Sequence, residues 1–200
     1  MSRNRVIYQS ESLYVSKDVA STASGDHEEL IRVQSANYGF TINRQDVNQY
    51  GNLARIDSLV LEPPTVNFDF SYYLTDGFNE KALGFDVTEN SQFVSGFLET
   101  SSGNNFYILT SDEGQDAATM LGGEDYSLIG LGNAFLSDYT VDLSVGALPT
   151  ASVSFEASNI NSQNGQVSGN AGQPDQPFTG SLPSVDPTLG DVLEGTMAAT

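Results

Sequence analysis

The single histidine of the chain, His27, sits in "SGDHEEL", and any imidazole chemistry would rest on it. An HExxH zinc site needs a second histidine four residues on, where Ile31 stands. No G-x-S-x-G elbow exists to present a serine nucleophile. His27 is therefore expected to be a solvated loop residue. Two acidic runs, "SDEGQD" at 111–116 and "GGEDY" at 122–126, offer the oxygen donors that Ca²⁺ prefers, but neither keeps EF-hand spacing. Solvated acidic loops are the plainer reading. "GLGNAF" at 130–135 holds two glycines of a dinucleotide loop, yet Phe135 takes the third position and no strand–helix–strand pattern surrounds it, so it reads as a turn. Scattered carboxylates could mimic a glycosidase pair, but no tryptophan is present to stack a sugar. The expectation is no catalytic residue, no metal ligand, no cofactor and no enzyme.

The elements that would carry any function are strands. The chain has 200 residues, 38% apolar and only 16% charged, with 19 Gly, 11 Phe and 9 Tyr, a mixture suited to strands and turns. Cysteine is absent, which excludes disulfides and thiolate metal sites. "MSRNRVIYQSESLYVS" lacks the apolar core of a signal peptide, and no apolar run approaches the ~20 residues of a membrane span. A soluble protein with no membrane partner is expected. The net charge is −19. All seven bases lie within the first 81 residues against eleven acids; the remainder carries fifteen acids and no base. A direct grip on nucleic acid needs a basic footprint, so none is expected.

Two phrases repeat. "PTVNFDFS" at 64–71 and "PTASVSFE" at 149–156 share a Pro-Thr start and a period-two alternation, and each follows a strand led by tyrosine, "NYGFTIN" and "DYTVDLS". The alternation predicts two antiparallel hairpins, 37–73 and 138–158, lying side by side in one sheet with an apolar and a polar face. The apolar face holds Phe40, Ile42, Val66, Phe68, Phe70, Val141, Leu143, Val153 and Phe155. The polar face holds Thr41, Asn43, Thr65, Asn67, Asp69, Ser71, Thr140, Asp142, Ser152, Ser154 and Glu156. A slip of one residue would exchange the faces. Residues 76–137 read as an insertion packing beside the hairpins, with a short helical turn near 76–85, strands in "SQFVSGFLE" and "NNFYILTSD", and a short helix between Asp112 and Leu121. Residues 1–160 form the β-rich domain; 161–200, rich in Gly, Pro, Asn and Gln, read as an extended C-terminal arm or the start of a further segment.

"RVIYQSESLYVS", "VQSANYGFTINRQDVNQYG" and above all "VDLSVGALPTASVSFEASNI" resemble segments of the major tail tube proteins of long-tailed bacteriophages. The resemblance is one of motifs, spans about half of the chain and is strongest at 139–160. It implies a mainly β fold: an antiparallel sandwich or barrel whose repeated hairpins join a ring-shaped barrel built across subunits. It implies a structural virion protein, located in the tail and in the host cytoplasm during assembly, whose hexameric rings stack into the channel for genome delivery. Its partners would be itself and sheath, terminator or baseplate components. The polar face would then line the channel, past which DNA slides without specific binding. Arg44 and Arg55, beside the long connection 44–64, would be possible inter-subunit contacts. The alternative is a capsid decoration protein or another β-rich, non-enzymatic binding module.

Overall fold

The computed structural model describes residues 10–16, 27–48, 50–51, 56–60, 65–85, 103–111, 114–117 and 125–166. Among these residues ten strands form, several of them on alternating apolar and polar residues: β1 (Glu11–Ser16), β2 (His27–Leu30), β3 (Val33–Thr41), β4 (Arg44–Val47), β5 (Asp57–Val60), β6 (Thr65–Tyr73), β7 (Asn104–Ser111), β8 (Asp125–Asp142), β9 (Thr150–Ala157) and β10 (Asn159–Gln166). The helix α1 (Phe78–Leu83) lies between β6 and β7. All strand pairings are antiparallel.

One long hairpin organises the molecule. β8 runs for 18 residues, and β9 with β10 returns along it almost without interruption. The first half of β8 is bordered by β7, then β1 and β2; the second half is bordered by β9, then β6 and β3. Among the described residues, β4 and β5 pair only with each other. Both repeated hairpins of the sequence form: β3 pairs β6, β8 pairs β9, and β6 meets β9 between them.

The core fills the space under the β8–β9–β6–β3 sheet. Phe68, Phe70, Phe106 and Phe155 cluster there with ring centroids 4.6–6.0 Å apart, and Tyr72, Val66 and Val153 complete it. Burying one such side chain contributes about 1.5–3 kcal/mol. A second cluster, Tyr14, Tyr107, Leu109, Tyr126 and Leu128, occupies the opposite face of β1, β7 and β8.

α1 is held by buried polar groups. The Asn79 side chain accepts from the Ile31 amide at 2.9 Å and donates to the Ile31 carbonyl at 2.8 Å. Glu80 accepts from the Tyr72 hydroxyl at 2.7 Å and from that of Tyr139 at 3.2 Å. The helix ends at Gly84, whose φ of 99° closes it, with the Gly84 and Phe85 amides donating hydrogen bonds to the Lys81 and Glu80 carbonyls, a conformation glycine adopts without a Cβ penalty.

Several expectations are corrected here. His27 is not a solvated loop residue: it opens β2 opposite Ser16, is buried, and meets Tyr14 edge-on at 5.4 Å. "GLGNAF" is not a turn but the middle of β8, bent where Asn133 takes φ 52°. The strand path does not stop at 160, because β10 pairs with β8 up to Gln166. Residues 76–137 include β7 and most of β8, which build the sheet itself. "SQFVSGFLE", Arg55 and most of the stretch from Asp112 to Leu121 lie outside the described residues.

Candidate functional site: an acidic sheet face between two open edges

The register of β8, β9, β6 and β3 places the polar residues in rows across four strands. Asn67 lies between Gly39 and Glu156, and Glu156 faces Phe135. Asp69 lies between Asn37 and Ser154, and Ser154 faces Asp138. Ser71 lies between Ser35 and Ser152, and Ser152 faces Thr140. Thr41 pairs with Thr65 at one end, and Asp142 with Thr150 at the other. Every one of these positions is exposed or half-buried. Short polar contacts tie the rows: Ser35 to Ser71 at 2.7 Å, Thr140 donating to Asp138 at 3.0 Å, and Ser144 donating to Asp142 at 3.2 Å.

Asp69, Asp138, Asp142 and Glu156 give the face four carboxylates, and no lysine or arginine stands in these rows. Asn43 follows the end of β3 and lies off the rows, and Arg44 begins β4, exposed opposite Val60.

Ser35, Asn37, Asp138 and Phe135 belong to the face but were missing from the sequence-based set. Alternation extended one step back from Tyr38 and Tyr139 would have found Asn37 and Asp138. Phe135 could not be found that way, because β8 carries a bulge between Leu136 and Asp138, where Ser137 donates to the Ser154 carbonyl at 3.0 Å. The extra residue shifts the alternation and turns Phe135 outward.

The opposite face is only partly covered. Val66, Phe68, Phe70, Val153 and Phe155 are buried, as the alternation requires. Phe40, Val141 and Leu143, expected in the core, are 49%, 37% and 72% exposed, and Ile42 is half-buried. Their periodicity is correct for Phe40 and Val141, but β3 and this part of β8 are the outer strands, and nothing described packs beneath their ends. Leu143 lies past the end of β8, in the turn toward β9.

The two outer strands also have open edges. Among the described residues, β3 pairs only with β6, and β8 from Leu136 to Asp142 pairs only with β9. Beside the β3 edge lies a cleft of about 130 Å³ lined partly by Leu13, Val33, Ala36 and Ile108.

Among the described residues, no group of three or more His, Asp or Glu side chains could hold a metal ion, and no described helix is long and apolar enough to cross a membrane. Burial pushes the Tyr72 hydroxyl far above its ordinary range, and burial pushes that of Tyr139 up to about 12; both sit around Glu80. Burial likewise raises the Glu29 carboxyl. Hydrogen bonds from Thr75 and then the Phe78 amide hold the exposed Asp76 low.

No family model matches the chain, and no curated protein matches it. Tail tube proteins are among the solved structures to which it is similar. The SPP1 tail tube matches with 12% identity and a TM-score of 0.47, over 80% of this chain and 78% of that one. A chain of the PVC sheath-tube complex, an extracellular contractile injection system in its extended state, matches with 13% identity and a TM-score of 0.46, over 80% and 93%. A chain from the virion of a native gene transfer agent particle matches with 8% identity and a TM-score of 0.43, over 77% and 94%.

Proposed function

We propose that this chain is a structural subunit that joins copies of itself, edge to edge, into a ring or tube with the acidic face toward the bore. One observation carries this reading: a four-stranded antiparallel sheet whose two outer strands, β3 and the end of β8, are both unpaired on their outer sides among the described residues. An even number of antiparallel strands makes the two edges run in opposite directions. The β3 edge of one copy can therefore continue the sheet beside the β8 edge of the next, with both faces preserved. Such a head-to-tail contact closes into a ring when the rotation permits it, and closure removes the edges that otherwise invite aggregation. Phe40, Tyr38 and Val141, left exposed on the core-facing side, away from the acidic face, would gain cover from the neighbour.

The bore would present Asp69, Asp138, Asp142 and Glu156 from each copy among neutral hydroxyl and amide groups. A wall of that charge repels a polyanion and gives phosphates nothing to hold, so nucleic acid would pass along it without binding. Hexameric rings, genome delivery, a place in a virion tail and contacts to sheath, terminator or baseplate proteins belong to this reading, as does the absence of catalysis. Arg44 on the β4–β5 hairpin would contact the next ring or subunit.

Negative-stain electron microscopy with sedimentation velocity, at low and high protein concentration, tests it. Hollow rings or tubes that grow with concentration are expected. A monodisperse monomer at every concentration and salt would overturn the assembly and favour a decoration or binding module.

A further inference from the structure

Two residues on the acidic face have no explanation within a single copy. Gly39 lies in β3, a strand that a glycine weakens, yet its backbone does not need one: its φ is not in the left-handed region, and a Cβ there would meet nothing within 4 Å. Phe135 is turned outward by the bulge and stands 49% exposed among polar neighbours. Gly39 lies in the outer strand β3, and Phe135 stands where the open part of β8 begins, next to Ala134, the last residue that β7 pairs; the two share one row, Gly39–Asn67–Glu156–Phe135. An exposed aromatic beside a bare strand glycine is a complementary pair, since the ring can lie over the backbone that the missing side chain leaves uncovered.

We propose that Phe135 of one copy packs over Gly39 of the next, so that this pair sets the register between copies. The inference rests on the edge-to-edge assembly above and adds its register. Within one copy the two residues are three strand spacings apart, about 14 Å, and cannot meet. Across copies the direct row brings them together. A closed barrel tilts its strands and slips the register. The slip must be even to keep each face on its side. A slip of two leaves Gly39 diagonal to Phe135, still within reach of an aromatic ring. A slip of four does not.

The absence of cysteine allows a direct test. Phe135→Cys is combined in turn with Ser35→Cys, Asn37→Cys, Gly39→Cys and Thr41→Cys, and each variant is assembled and oxidised. A disulfide requires Cα atoms within about 7 Å, so any bond joins two copies. The expected result is a ladder of cross-linked oligomers, strongest for Gly39→Cys or for its neighbours on the face, Asn37→Cys and Thr41→Cys. Strongest linkage at Ser35, or no ladder from protein seen to form rings, overturns the pairing and leaves the assembly intact. Wild-type protein that never assembles overturns both, and microscopy of the unmodified chain separates the two cases.

A second pair of variants reads the same contact without cross-linking. Gly39→Thr should leave the dilute monomer as stable as wild type or more so, because the site is open and threonine favours strands. It should nevertheless raise the concentration for half-assembly about tenfold, the loss of one aromatic contact. Phe135→Ala should do likewise. Unchanged assembly in both variants counts against the pairing.

Discussion

Removing the Tyr72 hydroxyl should loosen the molecule at a defined point. Tyr72 is fully buried and donates at 2.7 Å to Glu80, which is itself buried; Tyr139, half-buried, donates to the same oxygen at 3.2 Å. A hydrogen bond to a charged group contributes about 1.5–3 kcal/mol. Tyr72→Phe should cost an amount in the upper part of that range, because its bond is short and dry. Tyr139→Phe should cost about 1 kcal/mol, because water can reach that site. The double variant takes both hydroxyls from a buried carboxylate, and breaking such a partnership costs roughly 3–5 kcal/mol. Urea unfolding of dilute, unassembled protein measures all three, with midpoints compared at constant slope. The double-mutant cycle should return a coupling of at least about 0.5 kcal/mol. A Tyr72→Phe cost below about 0.5 kcal/mol, within the range of an ordinary surface change, or strict additivity, would refute the idea that Glu80 clamps the helix to the sheet through these hydroxyls.

The same tyrosines give a pH dependence. Both hydroxyls titrate higher in the folded protein than their ordinary 10.0, so their stabilisation is complete below pH 10 and falls as the pH rises above it. Urea midpoints across that range should drop more steeply for wild type than for the double phenylalanine variant. Replacing Asn79 with alanine removes both bonds to the Ile31 backbone and leaves a part-buried amide and carbonyl unpaired, at a cost of about 2–4 kcal/mol by thermal unfolding. Gly84→Ala places a Cβ at φ 99° and should cost about 1–2 kcal/mol in the same assay. Converting Asp69, Asp138, Asp142 and Glu156 to their amides should shift stability by less than about 1 kcal/mol, since no two of them stand directly opposite each other and exposed diagonal neighbours repel only weakly through salt water. Replacing the same four residues with lysine, which supplies the bases that the face lacks, should make the assembled variant retain DNA on a filter where wild type does not.

The pairings β3–β6 and β8–β9 were legible because each strand alternates cleanly and the Pro-Thr starts mark where two of them begin. Faces followed from the same period wherever it is unbroken, as at Val66, Phe68 and Phe70. Reading failed at β8, where Gly130, Gly132 and Asn133 imitate a turn and a bulge at Ser137 changes the alternation without any sequence signal. β10 was illegible for a related reason: "NINSQNGQ" holds a single large apolar residue, Ile160, so its pairing with β8 leaves almost no hydrophobic trace. His27 was misplaced because its acidic, glycine-containing neighbourhood suggests a loop, whereas burial depends on Tyr14 from another strand. Exposure of Phe40 and Val141 was beyond sequence, since period two tells which side a residue takes but not whether anything lies beneath it.

β8 has a mechanical consequence. One uninterrupted covalent chain belongs first to the sheet with β7 and β1 and then to the sheet with β9 and β6. A load along that chain falls on the ladders of both sheets in shear, where many backbone hydrogen bonds must yield together rather than one after another. The strands β7 and β1 therefore cannot slide while the acidic face stays still. In an assembly built from such subunits, a push or twist on the outside would reach the inner wall through β8 as if through a spoke.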